Sequence, residues 1–200
     1  SLVDKSQTVE DIALQIDPTV QIELNEKIVS IDKNAKRIFS EHSAFSYDKL
    51  IIATGSLPQT LFDISTLKNA ATFRNAKDSK KISEEINDKE VVIVGSGPIG
   101  LELLETLNTM PNIKHITLLV RGNSLYDKTL SPQAKKVIES AYLQSGKVTI
   151  SYEDEIIDKQ INDHMITLLR TKKLEIPNPF LIFGVGIKPN IDFARDTLSC

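Results

Sequence analysis

Apolar residues along this chain fall in short runs whose spacing changes character twice. Near the start, Val20, Ile22 and Leu24 alternate with polar residues, and residues 28–32 and 37–39 repeat the pattern between turn-like polar stretches. These three segments are predicted to pair as a small antiparallel unit. Leu50-Ile51-Ile52-Ala53 is a continuous apolar run, as expected of a strand buried on both faces. It stops at Thr54-Gly55-Ser56 and Pro58. Asp78 or Ser79 is placed to cap a helix over residues 80–86. From residue 91 the pattern turns into strand–helix alternation. Val91-Val92-Ile93-Val94 predicts a strand, residues 99–109 a helix and residues 116–120 a second strand. Ser131 and Pro132 open another helix and Gly146 closes it. Ala134, Val137, Ile138, Ala141 and Tyr142 fall on one face of that helix. Residues 148–152 give a third strand. Residues 156–161 and 165–169, joined by the turn signal Asn162-Asp163, and a further strand over 174–176 then break the alternation as an antiparallel meander. Phe180-Leu181-Ile182-Phe183 is a last buried strand. The fold class read from this pattern is α/β, a doubly wound parallel sheet carrying an antiparallel meander.

The turn after the first strand of the alternation holds Gly95-Ser96-Gly97-Pro98-Ile99-Gly100. Strand, Gly-rich turn and helix in this order form a dinucleotide fingerprint. Gly95 permits the tight turn, Gly97 lets the backbone approach a pyrophosphate, and Gly100 lets helix and strand pack closely. Pro98 suits the first helical turn, whose positive end faces the phosphates. A tight turn that binds nothing would need the same glycines.

Composition narrows the picture. Hydrophobic residues make up 40% of the 200 residues, and the formal net charge is -3. That balance gives no reason to expect nucleic acid or an anionic membrane as partner. No apolar run approaches the ~20 residues that span a bilayer. The single cysteine, Cys200, excludes a disulfide framework within the chain and a cysteine zinc cluster. An intracellular, reducing, cytoplasmic setting is expected. His42, His115 and His164 are scattered, so no metal site is expected. The missing initial Met and the abrupt end lead us to expect a piece of a longer protein.

Three motifs stand in order: Tyr47-Asp48-Lys49-Leu50-Ile51-Ile52-Ala53-Thr54-Gly55-Ser56-Leu57-Pro58, then residues 91–105 with Gly100-Leu101-Glu102, then Gly184-Val185-Gly186-Ile187-Lys188-Pro189-Asn190. Together they resemble the pyridine nucleotide-disulfide oxidoreductase family, most closely its branch of NADH oxidases and coenzyme A disulfide reductases. The resemblance implies a Rossmann-like, three-layer ββα nicotinamide-nucleotide domain inserted into a flavin (FAD) domain. It divides the chain into a partial FAD-domain segment (1–74), an NAD(P)H-binding domain (75–187) and a return segment (188–200). The flavin's own glycine fingerprint, a redox-active cysteine ahead of Ala53 and the family's C-terminal domain are not in this sequence. FAD is therefore expected only in an intact parent, where NAD(P)H would pass hydride to it, and the fragment alone is expected to be inactive. The missing FAD-domain halves are the expected partners, and unpaired edges over residues 20–53 would favour a homodimer.

The resemblance also implies roles for single residues. Ile99 would contact the dinucleotide through its backbone beside Gly95, Gly97, Pro98 and Gly100. Glu102 would reach the nicotinamide carboxamide; a carboxylate near a helix N-terminus is also favoured by the dipole alone. Val120 and Arg121 stand about 20 residues beyond the glycines, where NAD-specific sites carry an acidic residue. No carboxylate appears until Asp127. Arg121 suits a 2′-phosphate, which tilts the expectation slightly to NADPH; it also suits a solvated loop. Tyr126 would lie near the adenine or ribose, or be a surface aromatic. Gly184, Val185 and Gly186 would flank the nicotinamide, or form a turn that needs small residues. Ala53, Thr54 and Gly55 belong to the flavin side, or are a strand end and hinge. Two competing readings remain: a flavin-independent NAD(P) dehydrogenase, with Lys188 as its nearest acid–base group, and a stand-alone nucleotide-sensing module without catalysis.

Overall fold

Sequence and packing meet in a computed structural model that describes residues 3, 7–126, 130–195 and 197. Cys200 and Asp127 lie outside the described residues. Packing separates two units. The larger takes Pro58–Ile187 with the chain up to Ile12; the smaller takes Ala13–Leu57 with the chain from Lys188 onward.

The smaller unit is built on a three-stranded antiparallel sheet of β1 (Ile28–Asp32), β2 (Arg37–Ser40) and β3 (Ala44–Ser46). The Asp32 carboxylate accepts from the N–H groups of Asn34 and Ala35 at 3.0 and 2.8 Å, which fixes the turn between β1 and β2. Val20, Ile22 and Leu24 form no strand and stay exposed; the third strand is β3. Residues 50–53 are likewise not a buried strand, and Ile51 is 89% exposed. Alternation and apolar runs make strands only where a ladder and a face to cover exist, and neither segment has a ladder partner among the described residues. At the two points where the chain passes between the units, β4 (Ser56–Pro58) pairs with β13 (Ile187–Pro189).

The larger unit begins with one helical turn, α1 (Val9–Ile12), and then β5 (Ala70–Thr72), α2 (Ala76–Glu85), β6 (Glu90–Val94), α3 (Pro98–Thr109), β7 (His115–Val120), α4 (Pro132–Leu143) and β8 (Val148–Tyr152). The meander β9 (Ile156–Asn162), β10 (Met165–Thr171) and β11 (Glu175–Pro177) follows, and β12 (Phe180–Phe183) ends the run. Strands β5-β12-β6-β7-β8 form one sheet in that order, every described pairing parallel. Apolar residues of its strands serve opposite faces. Val91, Ile93, Ile116, Leu118 and Ile182 pack under Leu101, Leu104 and Leu107 of α3. Val92, Val94, Leu119, Leu181 and Phe183 pack against Ile166, Leu169 and Ile176 of the meander. This is the expected α/β class: a Rossmann-like parallel sheet between helices and an antiparallel meander.

Several boundaries move, each for a local reason. Residues 58–74 pack with the larger unit rather than with the first segment, because β5 is a strand of its sheet and Phe62, Leu67 and Ala70 enter its core. Helix α2 is capped by Asn75, whose side chain accepts from Lys77 and Asp78. Asp78 turns back instead to Thr72 Oγ1 and Arg74 N at 3.1 and 2.7 Å. Helix α4 starts at the Ser131 cap as expected, but Val137 and Ala141 are exposed; only Ile138 and Tyr142 reach the core edge. The β9–β10 turn is Asp163-His164, both at positive φ, as a two-residue hairpin loop demands.

One buried amide joins three elements. Asn69 Nδ2 donates to the carbonyls of Ile166 and Pro179 at 2.9 and 2.7 Å, and its Oδ1 accepts from Ile166 N at 2.8 Å. Replacing Asn69 with Ala leaves these buried backbone groups without partners, at roughly 1–3 kcal/mol for each such loss. Asn69→Ala is expected to lower the urea-unfolding free energy by roughly 2–4 kcal/mol. A change below about 0.5 kcal/mol, the level of an ordinary surface substitution, would show that the amide does not tie meander to sheet.

Candidate functional site

Strand order reverses at β6. From β6 the chain continues through β7 and β8 on one side, while β12 and β5 lie on the other. In open parallel sheets the crevice at the carboxyl ends of strands, at this switch point, is where ligands collect. Gly95 follows β6 and Gly97 and Gly100 start α3, the segment after Val120 lies to one side, and Gly184-Val185-Gly186 to the other.

The glycines do two different jobs. Gly95 has φ +105, and a Cβ on it would sit 2.6 Å from the Gly184 carbonyl oxygen. A Cβ on Gly100 would sit 2.0 Å from the Gly95 oxygen, and one on Gly184 3.3 Å from Gly100 N. These three positions pack backbone against backbone. Gly95 N–H donates to Leu119 O at 3.0 Å and Gly184 N–H to Val94 O at 2.8 Å, so the joint is tied into β6 and β7. Gly97 is different: a Cβ there would meet nothing within 4 Å. It is the N-cap of α3 and offers no side-chain cap, and Pro98 follows it. The N–H groups of Ile99 and Gly100 have no intrahelical acceptor in the first turn. An uncapped, positive helix end beside a bare glycine backbone offers free donors to an anion such as a diphosphate.

Glu102 is exposed and stands at the fifth helical position of α3, whose first turn carries no acidic residue. The dipole effect fades within the first turn, so it does not account for this carboxylate. Val120 is 1% exposed, packs in the helix-side core, and its carbonyl accepts from Asp154 N at 3.1 Å. Its side chain therefore faces away from solvent, and Arg121, exposed, is the polar group at this strand end. Leu125, fully buried, anchors the loop that follows. Tyr126 has φ +48 and packs half-buried against the core edge. Burial, then the nearby Glu105 and Tyr126, raises the Tyr142 phenol above its ordinary pKa. Lys135 of α4 reaches the same loop, donating to Ser124 Oγ at 2.9 Å. No sequence pattern marked it, because only the α4 packing brings it there.

On the other side, Val185 is half-buried against the meander-side core. Gly186 has φ +112, and its carbonyl accepts from Gln59 N at 2.9 Å. Ala53, Thr54 and Gly55 belong to the smaller unit. There Thr54 Oγ1 donates to Asn190 O at 2.6 Å, and Asn190 N to Gly55 O at 3.0 Å. Lys188 of the same unit pairs with Asp192 at 3.8 Å. His115 contacts Thr149 Oγ1 at 2.9 Å, and no group of three metal-binding side chains converges among the described residues. No helix among the described residues is long and apolar enough to cross a membrane.

The two glycine jobs separate in a stability measurement. Gly100→Ala forces a Cβ into a backbone oxygen and is expected to cost about 3 kcal/mol, as overpacking does. Gly97→Ala, at φ -77 with open space around it, is expected to change stability by less than about 1 kcal/mol. Equal costs by thermal melting would contradict the assignment of jobs.

The family model described as pyridine nucleotide-disulphide oxidoreductase matches residues 2–200. The chain is 28% identical over 182 residues to the NAD(P)H sulfur oxidoreductase (CoA-dependent) of Pyrococcus abyssi, covering 88% of this chain and 40% of that protein. It thus spans about two fifths of that relative. Among solved structures, the fold matches the water-forming NADH oxidase of Lactobacillus brevis bound to NADH, with TM-score 0.75, 21% identity, and coverage of 86% and 39%. An engineered NADPH oxidase derived from that enzyme and bound to NADPH matches with TM-score 0.76, 22% identity, and coverage of 86% and 39%.

Proposed function

The chain belongs to the pyridine nucleotide-disulphide oxidoreductase family, and on that premise we propose that its larger unit binds NAD(P)H for a FAD-dependent oxidoreductase. The observation that carries this reading is the uncapped N-terminus of α3, with the open Gly97 beside it, at the switch point of the sheet. The backbone of Gly97, Ile99 and Gly100 holds the pyrophosphate; Gly95 and Pro98 set the turn. Adenosine lies toward β7, between Arg121 and Tyr126, with Val120 as the strand end beneath it. The nicotinamide lies toward β12, beside Gly184, Val185 and Gly186, with Glu102 directed to its carboxamide. NAD(P)H supplies the hydride and a flavin accepts it; the chain's own residues bind and orient. Ala53, Thr54 and Gly55 serve the flavin side in the intact parent. FAD phosphates have no second Gly-rich loop to meet here, since residues 95–100 hold the sequence's single GxGxxG.

Within this reading the 2′-phosphate of NADPH is favoured over the bare ribose of NADH. Strand β7 ends in a buried valine followed by an exposed arginine, with no carboxylate to hold a 2′-hydroxyl. The engineered NADPH oxidase carries, among its substitutions, adjacent aspartate-to-alanine and alanine-to-arginine changes. A charge-assisted contact to phosphate is stronger than a neutral one.

Calorimetric titration of this chain is expected to give tighter binding of NADPH than of NADH. Arg121→Ala is expected to weaken NADPH roughly tenfold, the lower range for a charged hydrogen bond, and NADH by less than about twofold. Tighter NADH binding, or an unchanged ratio in the variant, would overturn the 2′-phosphate assignment. Absence of heat with both nucleotides would overturn the binding function itself.

A further inference from the structure

No sequence motif marks Gln59, yet it stands beside Gly186, just past the end of β12. It directly follows Pro58, the last residue of β4, and its N–H donates to the Gly186 carbonyl at 2.9 Å. That bond continues the β4–β13 pairing one step beyond the strand ends. Gly186 has φ +112, and the atom nearest to a Cβ built on it is Gln59 Oε1, at 3.6 Å. The amide is exposed, and none of the described side-chain hydrogen bonds engages it. A donor–acceptor group is thus held over a bare glycine, on the β12 side of the switch point.

We propose that Gln59 is a specificity-determining residue that recognises the primary carboxamide of the nicotinamide ring. The inference rests on the dinucleotide reading above, and on the strand order that sends one end of an extended dinucleotide toward β12. A primary amide offers one acceptor and two donors, so it pairs with another primary amide through two complementary N–H···O bonds. Arginine or lysine at this place would offer donors alone, and a carboxylate acceptors alone. Gly186, lacking a Cβ, leaves the space beside Oε1 clear for the ring's carboxamide.

The test compares three ligands on the full chain: NADPH, its 3-acetylpyridine counterpart, which replaces the amide nitrogen with a methyl group, and 2′-phospho-ADP-ribose, which has no pyridine. The variants are Gln59→Leu and Gln59→Met; both keep the backbone N–H that donates to Gly186, and melting curves check the fold. The wild type is expected to prefer NADPH over the acetylpyridine counterpart by about fivefold, the worth of a net hydrogen bond. Both variants are expected to lose most of this preference, keeping only the share that Glu102 supplies, while 2′-phospho-ADP-ribose binds variants and wild type alike. If the variants keep the wild-type preference while 2′-phospho-ADP-ribose still binds, the Gln59 inference falls and the dinucleotide site stands. If 2′-phospho-ADP-ribose and NADPH both fail to bind the wild type, the two fall together.

Discussion

Close backbone-to-backbone contacts among three glycines hold the candidate site together. Gly95, Gly100 and Gly184 come from the end of β6, the first turn of α3 and the end of β12, and a Cβ on any of them would press on the backbone of another. Because no side chain separates them, the strand ends and the helix start are placed by main-chain geometry alone. That leaves the first-turn N–H groups of α3 directed at the crevice, with Gly97 open in front of them. A site made of backbone donors is preorganised: nothing needs to rotate to receive charge, which is the condition under which fixed dipoles are most effective.

This joint depends in turn on the two cores of the larger unit. Neighbouring residues of β6 bury to opposite faces, Val91 and Ile93 under the helices, Val92 and Val94 against the meander. A one-residue slip would exchange these sets. Asn69 guards the register of β12, the neighbour of β6, by holding β10 and the residue before β12 in fixed relation to the start of β5. The meander therefore does more than cover the sheet: it fixes the strand that delivers Gly184, Val185 and Gly186.

Much of this was legible in the sequence where local rules decide. The runs of β6 and β12, the Ser131 cap with Pro132, and the Gly-rich turn each carry their own signal, and each lies where the pattern put it. Legibility failed where the deciding partner is distant. Val20, Ile22, Leu24 and Ile51 have strand-like spacing yet remain exposed, since spacing cannot supply a ladder. Strand β5 carries no sequence signal, because Ala70-Ala71-Thr72 is too short to show a period and pairing with β12 makes it. Among site residues, the Val120–Arg121 pair was readable, but the burial that turns Val120 away was not. Lys135 and Gln59 could not be read at all, because one arrives by the packing of α4 and the other by a backbone bond across more than half the chain.

If the crevice at the end of β6 receives a dinucleotide through the main chain of α3, NADPH must perturb the first-turn amides of that helix. A nitrogen-15 amide spectrum of the chain titrated with NADPH reads this out. Saturable shifts are expected at Gly97, Ile99 and Gly100, at Arg121, and at Gly184, Val185 and Gly186, with the amides of β1, β2 and β3 unmoved. Saturation with no change at Gly97, Ile99 and Gly100, or shifts confined to the smaller unit, would contradict this mode of binding.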